Sequence, residues 1–179
     1  MNRLLALVGL PGAGKSVVTE ELVSSGYKKI YFGGVTMEKL KEAGLEVNEM
    51  NEKMMREKLR KDYGMAAYAT LNIPNIKNAL KSSPVVIDGL YSWEEYLVLK
   101  KEFPTLEVVA VYSPPKLRYQ RLSTRQVRPL TQKQAMSRDY SQIENLHQAG
   151  PIAMADFTID NSTNLENLLK QVKILIDER

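Results

Sequence analysis

The chain has 179 residues, of which 44% are hydrophobic and 26% are charged, and its formal net charge at pH 7 is +4. This length and composition suffice for one well-buried core, so we expect a single domain, residues 1–179. The chain has no cysteine, which excludes disulfides and thiol chemistry and leaves oxygen atoms as the expected ligands of any metal. No apolar run approaches the ~20 residues of a membrane-spanning helix, so we expect no signal peptide, no membrane contact and a cytoplasmic location.

The first predicted strand, Leu4–Val8, leads directly into a glycine-rich segment. This segment fits the phosphate-binding loop pattern GxxxxGK[ST] and comprises Gly9, Leu10, Pro11, Gly12, Ala13, Gly14, Lys15 and Ser16. Glycines allow successive backbone N–H groups to converge on an anion at the positive end of the helix that follows. We expect Lys15 to contact the β- and γ-phosphates of a nucleoside triphosphate and the Ser16 hydroxyl to bind Mg²⁺.

Short apolar runs rich in β-branched or aromatic residues recur along the chain and alternate with longer helical patterns. They lie near residues 4–8, 30–32, 84–87, 108–112 and 157–159. The alternation predicts an α/β fold in which helices cover both faces of a parallel sheet. Residues 34–82 are charged, helical and rich in methionine, which predicts an inserted helical subdomain. Its Met50, Met54 and Met55 could form an adaptable substrate wall or ordinary packing.

An acid and a glycine, Asp88 and Gly89, end the third predicted strand. The carboxyl ends of parallel strands border the ligand crevice, so we expect Asp88 beside the phosphate-binding loop. There its carboxylate could hold Mg²⁺ through water and orient the attacking oxygen. The alternative is an ordinary aspartate at the start of a turn. A capping box of Ser92 and Glu95 predicts the start of the next helix.

Arginines concentrate after the fourth predicted strand, at Arg118, Arg121, Arg125, Arg128 and Arg138. Such a cluster fits a phosphate-binding cleft better than a nucleic-acid surface, where basic residues alternate with exposed aromatic residues. Arg118, Arg121 and Arg125 have helical spacing and are expected to share one face. That face could stabilise charge on phosphoryl oxygens or be a solvated stripe. Residues 123–138 are predicted to form a short lid.

Other features are interpreted as structural. His147 is expected at the surface near a helix end, and Trp93 is expected to pack at a helix start. Thr163 and Glu166 predict a second capping box before the last helix, whose apolar stripe would close the core.

Taken together, these motifs resemble those of the nucleoside monophosphate kinases, especially the archaeal adenylate-kinase-related proteins, and are similar to those of the dephospho-coenzyme A kinases. The resemblance covers nearly the whole chain and is strongest at residues 9–16, 87–89, 121–125, 138–139 and 155–161. It implies a P-loop NTPase fold with three α/β/α layers, a five-stranded parallel sheet, a helical acceptor-binding insertion and a lid. It also implies that Mg²⁺ and ATP are bound and that the γ-phosphate passes to a small-molecule acceptor.

The same resemblance implies individual roles. Arg121 would stack on adenine, Arg125 and Arg138 would contact phosphate oxygens, and the loop after Asn161 would border the base. An adenine nucleotide such as AMP or ADP could also occupy the donor or the acceptor pocket. The expected catalytic residues are Lys15, Asp88, Arg125 and Arg138.

Several positions depart from the family pattern. Gly34 and Met37 stand where relatives tend to carry an acid and an arginine, and Tyr91 stands where they carry a further arginine. Each missing arginine would have supplied a charge-assisted bond to the acceptor phosphate, worth roughly 1.5–3 kcal/mol. The acceptor is therefore left unidentified, as is the choice between ATP and GTP, and the sequence carries no indication of oligomeric state. The alternative functions are a nucleotide-binding regulator or NTPase without metabolite kinase activity and, less favoured, a nucleic-acid-associated ATPase.

Overall fold

In a computed structural model, which describes residues 2–178, five strands form a parallel sheet. The strands are β1 (Leu4–Val8), β2 (Lys28–Tyr31), β3 (Val85–Asp88), β4 (Glu107–Tyr112) and β5 (Phe157–Asp160). Their order is β2-β3-β1-β4-β5, so β1 is central, and its Leu7 pairs with Asp88 of β3. Because neighbouring strands are parallel, the loops that follow β1 and β3 emerge at the same edge of the sheet.

Nine helices connect and cover these strands within residues 2–178. They are α1 (Lys15–Ser24), α2 (Gly34–Glu42), α3 (Glu49–Tyr63), α4 (Ala67–Leu80), α5 (Trp93–Glu102), α6 (Pro115–Thr124), α7 (Gln132–Glu144), α8 (Ala149–Ala153) and α9 (Leu165–Asp177). Three of them, α2, α3 and α4, lie between β2 and β3. The interpretation of residues 34–82 as an inserted subdomain and of residues 123–138 as a lid stays a prediction.

β1 is buried on both of its faces, as the central strand of a parallel sheet should be. Successive side chains point to opposite faces, so Leu4, Ala6 and Val8 enter one core and Leu5 and Leu7 the other. The first core includes side chains from α2, α3, α4 and α5, and the second includes side chains from α1 and α9. The predicted three-layer α/β/α fold and its five-stranded parallel sheet are confirmed.

The helix starts are only partly as predicted. Ser92 and Glu95 form the expected capping box at α5. The capping box expected from Thr163 and Glu166 is wrong, because the N-cap of α9 is the next residue, Asn164, whose side chain accepts a 2.9 Å hydrogen bond from the Asn167 N–H. Asparagine is as good an N-cap as threonine or better, which permits this register.

The structural interpretations of single residues agree with the structure. Trp93 stacks on Tyr96 with ring centroids 4.9 Å apart, and the side chain of His147 is 61% exposed. Met55 is buried in the first core, whereas Met50 and Met54 are exposed. Among residues 2–178, no helix is both long enough and apolar enough to cross a bilayer.

Candidate functional site

The phosphate-binding loop, residues 9–16, turns tightly between β1 and α1. Gly12 and Gly14 have φ angles of 79° and 103°, which residues with a Cβ atom rarely adopt. A Cβ atom on Gly12 would lie 2.8 Å from the Arg118 carbonyl oxygen, and one on Gly14 would overlap the Asn161 side-chain amide. Both positions therefore need glycine for backbone conformation and for close packing.

The N-terminus of α1 is open toward the loop. No side chain caps it, and among residues 2–178 the N–H groups of Gly12, Gly14 and Ser16 have no backbone hydrogen-bond partner. Free N–H groups at the positive end of a helix attract an anion. The Ser16 side chain is exposed at the same helix end.

The Lys15 side chain folds back over the loop. Its Nζ atom donates hydrogen bonds of 2.6 Å to the Gly9 carbonyl oxygen and 3.4 Å to that of Leu10. The residue is partly exposed, but its ammonium is shielded from water, and this burial lowers the pKa of Lys15 to about 8, with the Asp88 carboxylate acting in the opposite direction. The ammonium therefore stays mainly protonated at neutral pH.

Asp88 lies at the carboxyl end of β3, next to the loop. Its Oδ2 atom is 2.8 Å from Lys29 Nζ, and its side chain is 17% exposed. The charge of Asp88 acts on both Lys15 and Tyr91, since it raises the pKa of each; for Tyr91, burial is the larger cause of the raised pKa. Asp88 is thus near enough to the Lys15 ammonium and to Tyr91 for its charge to act on both.

A buried ion pair that was not predicted from the sequence supports the phosphate-binding loop. The Arg118 guanidinium donates two hydrogen bonds to the Asp139 carboxylate, 2.9 Å and 2.6 Å long. It also donates to the carbonyl oxygens of Pro11, at 3.0 Å, and Ser113, at 3.1 Å. Arg118 is a positioning residue for the loop, and the adjacent pair Arg138 and Asp139 was the available sequence signal.

Arg121 and Asn161 meet beside the loop. The Arg121 guanidinium donates hydrogen bonds of 2.9 Å to the Asn161 carbonyl oxygen and 2.8 Å to Ser113 Oγ. The Asn161 side-chain amide donates a 2.8 Å hydrogen bond to the Ala13 carbonyl oxygen. The loop that follows β5 is therefore attached to the phosphate-binding loop, with Arg121 at the junction.

The other two expected arginines lie at the open side of the site. Arg125 directly follows α6 and donates a 2.5 Å hydrogen bond to the Arg128 carbonyl oxygen. Arg138 is exposed on α7, and its charge contributes, after burial, to the lowered pKa of Arg125. Arg118 and Arg121 share one face of α6 as expected, because both donate to Ser113 and to carbonyl oxygens of the phosphate-binding loop. The expectation is wrong for Arg125, which lies beyond the last helical residue.

A polar cavity of about 310 Å³ lies between α2, α3, α4 and α7 and is bordered by Tyr31 at the end of β2 and by Tyr91 after β3. Its lining includes Met37, Arg60, Tyr68, Tyr91 and Arg138. Met37 and Tyr91, which the sequence resemblance places where arginines are expected, therefore line the same cavity.

The predicted lid reaches the predicted insertion at this cavity. Arg128, in the segment between α6 and α7, forms ion pairs of 3.4 Å with Glu49 and 3.1 Å with Glu52, both on α3. The Glu52 side chain is only 7% exposed. These contacts close one side of the cavity over α3.

Comparisons with known proteins agree with this architecture. A family model described as an AAA domain matches residues 5–147. A UPF0200 protein from Thermococcus gammatolerans is 33% identical over 180 residues, which cover 98% of this chain and 94% of that protein. Solved structures with similar folds include a shikimate kinase from Bacteroides thetaiotaomicron, with TM-score 0.61, 14% identity and coverage of 98% of this chain and 97% of that one. They also include a gluconokinase from Sinorhizobium meliloti 1021, with TM-score 0.57, 15% identity and coverage of 98% and 94%.

Proposed function

The chain belongs to the AAA domain family and to the UPF0200 proteins, and we propose that it is an ATP-dependent phosphotransferase of the nucleoside-monophosphate-kinase type that acts on a small molecule. The observation that carries this proposal is the loop itself. Its left-handed Gly12 and Gly14, its free N–H groups and the adjacent Lys15 ammonium form a site for a polyphosphate. The kinase-like fold supports the same conclusion.

The residues at the loop suit Mg²⁺. Within residues 2–178, no group of three or more Asp, Glu or His side chains could hold a metal ion by itself. Magnesium, however, is usually bound through one or two protein oxygens together with substrate phosphates and water. The Ser16 hydroxyl and, through water, the Asp88 carboxylate are the oxygen donors that would hold it. When bound, the ion would neutralise charge on the β- and γ-phosphates.

The position of Asp88 at the carboxyl end of β3 supports the following reaction. An oxygen of the acceptor, from a phosphate or a hydroxyl group, attacks the γ-phosphorus, and the bond from that phosphorus to the bridging oxygen breaks. ADP leaves with the electron pair of this bond, and where the acceptor is a hydroxyl its proton passes to the Asp88 carboxylate. Lys15, Arg125 and Arg138 stabilise the negative charge on the transferred group.

Contacts in the structure also support an assignment of the residues that would border adenine and of the segments that would close over the substrates. Arg121 and Asn161, joined beside the loop, would border the base. Residues 123–138 would act as the lid and residues 34–82 as the acceptor-binding insertion, which the ion pair between Arg128 and Glu52 supports. Closure would exclude water, which otherwise competes with the acceptor for the γ-phosphate.

One observation favours a second function, a nucleotide-binding regulator or NTPase that phosphorylates no metabolite. Met37 and Tyr91 line the cavity where an acceptor phosphate would need arginines. Transfer of labelled γ-phosphate to a nucleoside monophosphate, a hydroxy acid or a sugar would decide for the phosphotransferase. Slow hydrolysis in the presence of all of them would decide for the regulator.

The decisive experiment for the donor site is Lys15→Ala. We expect it to weaken Mg-ATP binding, measured by calorimetry, by roughly tenfold or more, because a charge-assisted contact to phosphate is lost. Lys61→Ala is the matched control, since Lys61 is exposed on α3 and should bind ATP as the unaltered chain does. Equal affinities in both variants would contradict the proposal.

A further inference from the structure

The polar cavity is lined by two arginines with different neighbours. Arg138 lines it together with Tyr91, and the charge of Arg138 acts to lower the pKa of both Tyr91 and Lys15, although burial is the larger cause of each shift and raises the pKa of Tyr91. Arg60 lines the cavity together with Tyr68.

Two of the four arginines that line the cavity, Arg56 and Arg128, are already paired with carboxylates. Arg56 forms ion pairs of 3.4 Å with Glu49 and 3.3 Å with Glu52. Arg128 forms ion pairs with the same two carboxylates from the other side. Both arginines are therefore paired with Glu49 and Glu52 and are poorly available to a ligand.

Arg60 differs from these two arginines. Within residues 2–178 it forms no ion pair, and its Nε atom is buried without a hydrogen-bond partner. Its guanidinium lies over the Tyr68 ring, 5.5 Å from the ring centroid. A buried guanidinium donor that lacks an acceptor is costly, and such groups are normally paired.

Glu95 compensates Arg60 only in part. Its Oε2 atom accepts hydrogen bonds from the backbone N–H groups of Tyr91, at 2.8 Å, and Ser92, at 3.1 Å. Burial raises the pKa of Glu95 to about 7, although these hydrogen bonds and Arg60 act to lower it. Near neutral pH the carboxyl is therefore ionised in only about half of the molecules.

We propose that Arg60 binds an anionic group of the acceptor, a carboxylate or a phosphate, while the hydroxyl of the same molecule reaches Asp88. The substrate class is then a small hydroxy acid or a phosphorylated alcohol, and not a neutral polyol. A planar guanidinium pairs with either anion through two parallel hydrogen bonds. The cavity, about 310 Å³, is at the small end of ligand pockets, which span roughly 300–1,000 Å³. The hydroxyl's role rests on the proposed function, whereas anion binding at Arg60 does not.

The test uses the full chain without nucleotide. The side-chain Nε–H resonance of Arg60, identified by its loss in Arg60→Lys, is followed by NMR during titration with sodium phosphate, sodium acetate or glycerol. We expect a saturable shift with phosphate or acetate and none with glycerol; the tighter of the two anions identifies the group. A shift that never saturates with either anion would overturn the proposal.

Variants separate this site from the donor site. Arg60→Gln removes this resonance, so its anion binding is measured by calorimetry, and we expect binding of the preferred anion to weaken roughly ten- to hundredfold. Lys61→Gln, one residue further along α3, should leave it unchanged. Lys15→Ala should preserve the Arg60 shift, and loss of the shift in that variant would overturn the proposal by placing the anion on the phosphate-binding loop. Should ATP fail to bind while the shift persists, the proposed function fails and the anion site stands.

Discussion

Arg118 and Asp139 form a buried two-bond ion pair directly beneath the phosphate-binding loop, with side chains only 3% and 4% exposed. The Tyr119 hydroxyl donates a further 2.9 Å hydrogen bond to the same carboxylate. Because the Arg118 guanidinium also binds the Pro11 carbonyl oxygen, the pair couples the lid-side helices α6 and α7 to the shape of the loop.

Loss of one partner of this pair should be strongly destabilising. Arg118→Met leaves the Asp139 carboxylate buried without its counter-charge, and we expect the free energy of unfolding to fall by about 3–5 kcal/mol. ATP affinity should fall as well, because Pro11 loses its donor. Urea denaturation and calorimetry measure the two effects.

The exposed ion pair of Lys58 with Asp62 supplies the control. Lys58→Met should change stability little, because exposed pairs are well screened by water. The double variant Arg118→Met, Asp139→Met should recover much of the stability that Arg118→Met loses. If Arg118→Met and Lys58→Met were equally stable, the loop would not depend on the buried pair.

Gly14 is expected to tolerate no side chain. Gly14→Ala forces a Cβ into the left-handed φ of 103° and against the Asn161 amide, so we expect a stability loss of about 1–3 kcal/mol and loss of measurable ATP binding. Gly44→Ala is the matched control, since Gly44 also has a positive φ, 66°, but faces open space. Thermal unfolding and nucleotide titration of both variants distinguish a steric clash with Asn161 from backbone strain alone. Equal losses of stability and of ATP binding in the two variants would contradict the clash.

The fold and the phosphate-binding loop could be predicted because their signals are local. A buried strand, a glycine-rich turn and a helix follow one another within a few residues, and the period of each segment identifies its type. Capping signals are equally local but ambiguous in register. Thr163 and Asn164 can both cap a helix, and in the structure Asn164 does so.

The support of the loop could not be predicted in the same way. Helical spacing places Arg118 near Arg121 on the helix surface, but it does not say which of them faces the interior. That choice depends on α7, which brings Asp139 to Arg118 across 21 positions of sequence. The unpaired state of Arg60 was hidden for a related reason, since it depends on Glu49 and Glu52 being taken by other arginines.

Nucleotide binding should weaken at alkaline pH. The pKa of Lys15 is lowered to about 8, so above that pH the free protein loses the proton that phosphate contact requires. Binding must then take up a proton, and the apparent ATP affinity should fall by up to about tenfold per pH unit. Lys15→Arg, which stays charged throughout, should show a flat profile in calorimetric titrations. A flat profile in the unaltered chain would contradict the role of Lys15.

Glu95 should make the protein less stable as the pH rises. The pKa of Glu95 is about 7 in the folded chain, against an ordinary value of 4.5. Burial is the main cause of this rise, and the charge of Glu94 adds to it. The two backbone hydrogen bonds and the charge of Arg60 lower the pKa but are outweighed. Between these two values the folded state binds more protons than the unfolded state, so the free energy of unfolding falls as the pH rises. The total fall is about 3 kcal/mol, and the curve levels above pH ~7.

Glu95→Gln should remove this part of the pH dependence, because glutamine does not ionise and still serves at this position of a capping box. Glu57→Gln, an exposed change on α3, should keep the profile of the unaltered chain. Urea denaturation from about pH 4.5 to 8 measures the three profiles. If Glu95→Gln kept the full fall between these pH values, another group would be responsible, and Glu95 would have to be ionised in the folded chain through an ion pair with Arg60.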